Sequence, residues 1–512
     1  MRFVLRLLIG CLFLMLPACG GGGSKSTPSI AAPPQFGKIE HVVFIVQENH
    51  TFDSIFGGPN PFPGADTASS GKNSNGITIP LQPQPMGDSG GATGLSNGYR
   101  DWANSCDVDP SMPLQAGLPR PCRLDGFDKV GEKIINPNDT AYAYAEYSQT
   151  APYFDIAHKY ALGDHFFASH NSESYTAHQY IFAGQSGFPG TVDAPYPNFP
   201  GFPAMTAWNC SSDTIGEKTY LWDPNVTTLS ATETGPIGPY PCWTYPSLAD
   251  LLNAKSTSWR VYIPFTLFDV NSLASMRSIY QNPKYWPPNC PQPPRLTCAN
   301  TDYFRANLAT FLTDYGVGGT PKKYQTLPGV TWFLAPLYDS DHPLGVEYYN
   351  PAVNSTAPTV GLPQSMGPNW VATIVDAIGN SPDWSTTAIF IFWDDWGGYY
   401  DHVQPYVVRD AAGVGFRVPL MIVSPYTKPG CILKTNTEFG TLLKFTEDTF
   451  LLGRLGTNTV DQSPFINNLD ACFDWSHPRP FAPVSGALST QFWQGRFGST
   501  TRPSAKDQIR DE

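Results

Sequence analysis

The sequence carries little charge, and positive charge is the scarcer kind. Only 14% of the 512 residues are Asp, Glu, Lys or Arg, and the formal net charge is −12, whereas an average soluble domain has about 25% charged residues. An acidic chain does not attract phosphate backbones, so nucleic acid is excluded as a partner. Hydrophobic residues make up 41% and aromatic residues 13% of the chain, which excludes a disordered protein and provides apolar area for a large core.

Several catalytic and metal-binding patterns are also missing. The sequence contains no HExxH motif and no Walker phosphate loop, and no two cysteines have the CxxC spacing of a zinc ribbon or a thioredoxin-like site. Residues 87–91 (GDSGG) match the surroundings of the serine in trypsin-like proteases. Because only His41 and His50 precede this string beyond the leader, and because its flanks are rich in turn residues, we exclude a protease of that class.

The N-terminus has the layout of a secretory signal. Two arginines precede an apolar run over residues 7–16 and small residues follow it, so residues 1–18 are predicted to be a signal peptide. The run is shorter than the ~20 residues that span a bilayer, and no later segment is long and apolar enough. The string LPAC ending at Cys19 resembles a bacterial lipoprotein processing box, which predicts membrane attachment through a lipidated Cys19 and a tether over residues 19–36. The alternative is a periplasmic or secreted protein in which Cys19 is cleaved away or left free.

Eight cysteines remain beyond the leader and Cys19. An even number of cysteines in an exported chain predicts disulfides, although the sequence does not determine their connectivity. The cysteines form four local pairs that we expect to be bonded: Cys106–Cys122, Cys210–Cys242, Cys290–Cys298 and Cys431–Cys472.

Five apolar runs rich in β-branched residues predict buried strands, and a helix stands between two of them. The runs and the helix cover residues 39–46, 259–265, 330–336, 369–380 (the helix), 388–393 and 418–425. Alternating helices and strands are typical of an α/β fold, so we expect a three-layer core with a mixed, mostly parallel sheet. We place this domain at residues 37–480, with loop insertions near 58–125, 186–245 and 284–300 and a C-terminal tail over 481–512.

The first candidate site segment directly follows the first predicted strand. In open α/β sheets, ligands bind beyond the carboxyl ends of the strands. Glu48 and Asn49 place a carboxylate and a carboxamide at that position, and their oxygens suit a hard metal ion. The alternative is the start of a helix, with Asn49 or Thr51 as the cap and Asp53 in the first turn.

The second segment (DDWGGYYDH) begins with Asp394 and Asp395, directly after the strand at 388–393. Two adjacent carboxylates repel each other, and a divalent cation would relieve that repulsion. The two glycines that follow allow a close backbone approach and a sharp turn, which could bring Asp401 and His402 back over the site. The alternative is a solvated acidic turn after a strand.

The third segment contains a serine at the start of a predicted helix. If Ser174 opens the helix that continues as TAHQYIFAG, its hydroxyl lies where backbone N–H groups and the helix dipole favour an anion. His178 is four residues further on and shares that face, so it is predicted to contact the same substrate. The alternative is a serine cap followed by a packed histidine. Together the three segments supply a hydroxyl nucleophile, an anion site and four oxygen ligands.

These segments also resemble those of a known family. ENHTFDSIFG, DHFFASHNSESYTAH, SDHP, FWDDWGGYYDHVQP and GFRVPLMIVSPYTKPG are similar to motifs of the bacterial phosphoesterases that include phosphatidylcholine-type phospholipases C and acid phosphatases. The similarity is colinear from about residue 37 to about residue 475. It implies an alkaline-phosphatase-like α/β fold and a metal-dependent phosphoric ester hydrolase.

The resemblance also implies roles for individual residues. By position, the metal ligands would be Glu48, Asn49, Asp394 and Asp395, the nucleophile would be Ser174, and His342 and His402 would lie near the phosphate. The chain departs from the family pattern at Thr176 and Ala177, where proline and asparagine are usual.

The expected chemistry is hydrolysis through a phosphoryl-serine. One divalent ion held by the four oxygen ligands would lower the pKa of the Ser174 hydroxyl, which would then attack phosphorus. Asn49 and the helix N-terminus would stabilise the negative charge, and His342 or His402 would protonate the leaving alcohol. Oxygen ligands favour Ca²⁺, Mg²⁺ or Mn²⁺ over Zn²⁺.

Two other functions remain open. A surface lipoprotein with this fold would bind anionic or glycosylated ligands through its aromatic loops, although such a protein has no use for Ser174. Within the enzyme class, an acid phosphatase acting on phosphomonoesters competes with phospholipase C-like cleavage of phosphodiesters. Membrane attachment and the aromatic insertions favour phospholipid as the substrate.

Overall fold

A central eight-stranded sheet organises the protein. The computed structural model describes residues 32–86, 95, 97–107, 122–130, 141–171, 173–186, 195–197, 209–210, 219–221, 240–263, 271–287, 299–336, 339–343, 366–406 and 413–497. The strands of the sheet are β1 (His41–Gln47), β2 (Ala161–Gly163), β3 (Trp259–Tyr262), β4 (Phe304–Arg305), β5 (Val330–Leu334), β6 (Thr387–Trp393), β7 (Leu420–Val423) and β8 (Cys431–Leu433). Their order across the sheet is β4-β3-β5-β1-β6-β7-β2-β8.

The sheet is mixed and mostly parallel. Only β7 runs antiparallel to its neighbours β6 and β2, and the other neighbouring strands pair in parallel. In the centre, β1 and β6 are in register from His41 opposite Thr387 to Gln47 opposite Trp393. The segments that leave these two strands therefore start side by side at one edge of the sheet.

The described residues also form ten α-helices and four two-stranded pairings outside the main sheet. The helices are α1 (Phe52–Phe56), α2 (Tyr99–Cys106), α3 (Tyr147–Lys159), α4 (Ser174–Ala183), α5 (Leu248–Ala254), α6 (Arg277–Tyr280), α7 (Leu308–Asp314), α8 (Gly367–Gly379), α9 (Phe439–Phe450) and α10 (Thr490–Phe497). The pairings are Ser70–Lys72 with Thr78–Pro80, Gln82–Gln84 with Ala143–Ala145, Phe166–Phe167 with Thr437–Glu438, and Pro195–Pro197 with Thr219–Leu221.

Helices cover both faces of the sheet, which gives three layers. Successive residues of a strand point to opposite faces. On β5, Trp332 contacts Phe182 of α4 with ring centroids 5.1 Å apart, whereas the next residue, Phe333, contacts Trp370 of α8 at 6.2 Å. Every residue of β1 and β6 is buried, as expected for strands covered on both sides. The prediction of a three-layer α/β core is confirmed.

All five predicted strands and the predicted helix are present, and their ends differ from the prediction by at most three residues. The sequence did not predict β2, β4 and β8, which have two or three residues each. So short a run carries no recognisable period, and these strands form because neighbouring strands offer them hydrogen bonds.

A second hydrophobic cluster, which we call the satellite cluster, lies outside the main core. It joins residues of the insertion near 58–125 to the segments after β6 and before β7. Its buried members are Leu81, Leu95, Trp102, Cys106, Leu124, Phe127, Val130, Ala141, Tyr142, Ala143, Trp396, Tyr399, Tyr400 and Phe416. The aromatic residues after Asp395 therefore anchor an insertion, and the segment that they belong to is not a solvated turn.

Three of the four predicted disulfides are present: Cys106–Cys122, Cys210–Cys242 and Cys431–Cys472. The fourth, Cys290–Cys298, lies outside the described residues, as do the predicted signal peptide and Cys19. None of the helices in the described ranges has the length and hydropathy needed to cross a bilayer. Within the predicted tail, α10 packs on the core, since Trp493 is fully buried and donates to Thr373 Oγ1 at 3.0 Å.

Candidate active site

The candidate site lies at the carboxyl ends of the two central strands. Glu48 and Asn49 follow β1, and Asp394 and Asp395 follow β6. All four side chains are buried. Because β1 and β6 are adjacent and parallel, the residues that follow them meet at the same edge of the sheet. This is the edge at which open α/β sheets bind ligands.

The backbone after β1 turns sharply to meet the segment after β6. Asn49 has a φ of 59°, and its amide donates to Asp394 Oδ1 at 3.0 Å. Gly397 has a φ of 61° and passes so close that a Cβ there would lie 1.9 Å from the Asn49 carbonyl oxygen. Only glycine fits this position, because a side chain would force the two segments apart.

Ser174 directs its hydroxyl into this group. It is the first residue of α4, whose N-cap is Glu173. Ser174 Oγ lies 3.0 Å from Asp395 Oδ2 and 3.4 Å from Asn49 Oδ1. Ser174 is therefore not the cap of its helix, and its hydroxyl lies beside a helix N-terminus that favours anions.

His178 lies one turn further along α4, on the carboxylate side of the site. Its Nε2 is 3.2 Å from Glu48 Oε1 and 3.6 Å from Asp394 Oδ2. Burial would lower the pKa of His178, but the charges of Glu48 and Asp394 raise it to about 10. Its contacts are thus with candidate metal ligands, and its predicted contact with substrate stays a prediction. We call Glu48, Asn49, Ser174, His178, Asp394 and Asp395 the serine cluster.

Asn97 belongs to the same site and was not predicted from the sequence. Its Nδ2 lies 2.9 Å from both Oδ1 and Oδ2 of Asp395, and its carbonyl accepts from Trp396 Nε1 at 2.8 Å. It comes from the insertion near 58–125. Nothing in the local sequence distinguishes this asparagine from the turn residues around it, because its role depends on how the insertion folds back.

The electrostatics of the serine cluster fit a divalent cation. Burial and the charge of Asp394 raise the pKa of Glu48 well above its usual value. Burial would also raise the pKa of Asp394, but the adjacent His178 lowers it. Among the described residues, Glu48 Oε2 and Asp394 Oδ2 are buried without a hydrogen bond, which is costly for carboxylates. Ligand atoms of Glu48, His178 and Asp394 lie within 4.8 Å of one another, a spacing that suits one ion.

A second acidic group lies further along the same two segments. Asp401 accepts from Arg417 Nε at 2.8 Å and Nη2 at 3.2 Å, and Arg417 Nη2 is 3.6 Å from Asp53. His402 Nδ1 lies 2.6 Å from Asp53 and its Nε2 lies 3.0 Å from Asp66. Burial would lower the pKa of His402, but the hydrogen bond and charge of Asp53 raise it to about 9. We call Asp53, Asp66, Asp401, His402 and Arg417 the arginine cluster. The predicted contact of His402 with phosphate stays a prediction.

His342 lies on a short segment beside the end of β1. The Glu48 amide donates to the Ser340 carbonyl at 2.7 Å, and His50 Nε2 lies 3.1 Å from the Asp341 carbonyl. Burial lowers the pKa of His50 to about 3, so the His50 imidazole is neutral at physiological pH. The segment of His342 is thus bonded to the residue that begins the serine cluster, and the role of His342 toward phosphate stays a prediction.

Comparison with known proteins gives relatives over most of the chain. The chain is 24% identical over 475 residues to a non-hemolytic phospholipase C of Burkholderia pseudomallei and 22% identical over 490 residues to one of Pseudomonas aeruginosa. Each alignment covers 86% of this chain but only 59% and 58% of these proteins, so the chain spans less than two thirds of the length of the relatives it matches.

A solved structure, a phosphonate monoester hydrolase from Silicibacter pomeroyi, matches with a TM-score of 0.30 and 12% identity over 67% of this chain and 77% of that chain. This similarity is too low to support the fold assignment. The model of the Phosphoesterase family matches residues 39–453, which include every member of the serine and arginine clusters. The chain therefore belongs to the Phosphoesterase family.

Proposed function

We propose that this protein is a metal-dependent phosphoesterase that uses Ser174 as its nucleophile and prefers phosphodiesters of the phospholipase C type. The observation that carries the proposal is the position of the Ser174 hydroxyl, 3.0 Å from Asp395 Oδ2 at the N-terminus of α4. A binding protein has no need for a buried hydroxyl among three carboxylates. The names of the relatives favour the diester over the monoester, and an alkaline-phosphatase-like arrangement is part of the same proposal.

The residues that would hold the ion are Glu48, Asn49, Asp394 and Asp395. When bound, a divalent ion would supply positive charge that favours ionisation of a nearby hydroxyl and offsets the negative charge on phosphate. The oxygen-rich donor set favours Ca²⁺, Mg²⁺ or Mn²⁺ over Zn²⁺. The proposal places one divalent ion in the serine cluster.

The side chains carry the remaining steps. Ser174 Oγ, aligned by Asp395, gives its proton to solvent water and attacks phosphorus; the new O–P bond forms the phosphoryl-serine while the P–O bond to the alcohol breaks. The N–H groups at the start of α4 and the amide of Asn49 stabilise the phosphate oxygens. His342 or His402 protonates the leaving alcohol, and the bonds of His402 to Asp53 and Asp66 favour His342. Water then hydrolyses the phosphoryl-serine.

The proposed location is outside the cytoplasm. Three disulfides support an exported protein. Attachment to the cell envelope through a lipidated Cys19 would place the enzyme next to phospholipid, and this part of the proposal rests on the sequence alone.

The test uses Ser174→Ala, with Thr176→Ala as a matched control. Thr176 is on the same buried turn, but its hydroxyl lies 3.3 Å from Glu173 Oε1 rather than at Asp395. We expect Ser174→Ala to lower kcat about 10³-fold or more at an unchanged melting temperature, and Thr176→Ala to keep kcat within about threefold. p-Nitrophenyl phosphate and p-nitrophenylphosphocholine are assayed side by side after chelation and readdition of each ion.

A second readout tests the intermediate. Acid quenching during turnover should trap a phosphoryl group on Ser174, detected by peptide mass spectrometry. A folded Ser174→Ala variant with wild-type rates refutes the nucleophile. If the wild type cleaves neither substrate with any ion, the function as a ligand-binding surface protein is favoured instead.

A further inference from the structure

We propose that Asn97 is a positioning residue that holds the Asp395 carboxylate in the orientation required by the nucleophile, so that the insertion near 58–125 completes the catalytic site. This inference rests on the proposed function, because it assigns a role within the same site. The insertion would then contribute to catalysis in addition to covering the surface of the core.

Asp395 is held by donors on both of its oxygens. Oδ1 accepts from Gly397 N at 2.8 Å and from Asn49 Nδ2 at 3.2 Å. Oδ2 is the atom that faces Ser174 Oγ. Asn97 Nδ2, at 2.9 Å from each oxygen, bridges the two sides. It therefore opposes rotation of the carboxylate about its Cβ–Cγ bond, the motion that would turn Oδ2 away from Ser174.

The backbone of Asn97 is itself held in place. Its main-chain carbonyl accepts from the indole of Trp396, the residue next to Asp395, and Trp396 contacts Phe127 and Phe416 of the satellite cluster with ring centroids 6.0 and 5.0 Å apart. Directly after Asn97, Gly98 is the N-cap of α2, which ends at Cys106 of the Cys106–Cys122 disulfide. The position of Asn97 is thus set by packing before any substrate arrives, which is the arrangement expected of a group that preorganises a site.

The matched control is another asparagine of the same insertion. Asn73 is also buried, but its Oδ1 accepts from the amides of Asn75 and Ile77 and only shapes a local turn. Asn73→Ala removes the same number of atoms from the same insertion without a contact to Asp395. Any effect that Asn97→Ala shares with Asn73→Ala is an effect on folding of the insertion.

The experiment measures four quantities on the full mature chain: kcat and KM with p-nitrophenylphosphocholine, the Kd for Mn²⁺ by electron paramagnetic resonance titration, and the melting temperature. We expect Asn97→Ala to lower kcat about 10- to 100-fold, with KM within about threefold, and to weaken Mn²⁺ binding about 10-fold, as for other residues that orient metal ligands. Asn97→Asp should have larger effects, because it places another carboxylate against Asp395. Asn73→Ala should change the melting temperature alone.

The Mn²⁺ titration separates this inference from the proposed function. If the wild type has no phosphoesterase activity, the proposed function fails. Weaker Mn²⁺ binding by Asn97→Ala would still support the inference that Asn97 orients the Asp395 carboxylate. Wild-type kcat and Mn²⁺ affinity in folded Asn97→Ala overturn the inference. Losses that match those of Asn73→Ala at an equal fall in melting temperature also overturn it.

Discussion

The serine cluster and the arginine cluster both contain residues from the segments that follow β1 and β6, and they differ in how their charge is balanced. In the arginine cluster, the Arg417 guanidinium bonds both oxygens of Asp401 and lies 3.6 Å from Asp53. In the serine cluster, His178 faces two of the three carboxylates, Glu48 and Asp394, and one oxygen of each accepts no hydrogen bond among the described residues. Groups of Asp, Glu and His that look alike by composition therefore differ in how their charge is compensated.

The difference follows from the cost of burying charge. A buried carboxylate is tolerated when it is paired with a cation and fully hydrogen-bonded. The arginine cluster meets this condition with its own side chains, so we interpret it as a structural ion network that fixes the two segments. The serine cluster does not meet it, so it is the place where a cation from solution has most to contribute.

The same Asp→Asn substitution should mainly lower activity in the serine cluster and mainly lower stability in the arginine cluster. Asp394→Asn removes a carboxylate that would hold the ion, so we expect kcat to fall about 10³-fold or more. In the metal-free protein, relief of the repulsion between Asp394 and Glu48 offsets the lost pairing with His178, so we expect a smaller loss of unfolding free energy than for Asp401→Asn. Asp401→Asn leaves the buried Arg417 without its main partner, so we expect a loss of about 3–5 kcal/mol. Urea unfolding in chelator and steady-state kinetics measure the two effects.

The two variants control for each other, because each removes one charge at nearly constant volume from a fully buried position. At a temperature where Asp401→Asn is folded, we expect its kcat to stay within about threefold of the wild type. A stable Asp401→Asn enzyme without activity, or an Asp394→Asn variant that loses as much stability as Asp401→Asn, would contradict the comparison.

The sequence predicts the serine cluster better than the arginine cluster, for a physical reason. Glu48 and Asp394 each follow a long buried strand, and the end of such a strand can be recognised from the local sequence. In open α/β sheets, ligands bind beyond these carboxyl ends, so the position itself indicates a site. Arg417 instead precedes a strand, and its pairing with Asp401, 16 residues earlier in the chain, depends on the tertiary structure. His402 was predicted to contact phosphate from its motif, but its bonds to Asp53 and Asp66 depend on the tertiary structure.

Chelation should separate the clusters without a change in covalent structure. An ion that binds only the folded state stabilises it by about 2.7 kcal/mol at a concentration of 100 times Kd. We therefore expect a chelator to lower the melting temperature of the wild type and of Asp401→Asn by similar amounts, and to leave that of Asp394→Asn unchanged. Differential scanning fluorimetry with chelator and with added Mn²⁺ measures this. An equal shift in Asp394→Asn would place the ion outside the serine cluster.

The smallest expected effect concerns pH and the arginine cluster. The folded protein raises the pKa of His402 from 6.5 to about 9, so the folded state holds this proton more tightly than the unfolded chain. The stabilisation is fully present below the unfolded pKa and is lost as the pH rises through the folded one. With the side chain 24% exposed, we expect His402→Gln to cost about 2 kcal/mol of unfolding free energy near pH 6 and close to zero near pH 10.

Urea unfolding of the chelated protein across this pH range tests the effect, with His477→Gln as the control. His477 also lies beside an aspartate, Asp474, at 2.9 Å, but its side chain is 81% exposed, so solvent screens the pair and we expect little change at any pH. A cost of His402→Gln that is constant with pH would mean that His402 acts through packing rather than charge. The charge balance of the arginine cluster would then rest on Arg417 alone.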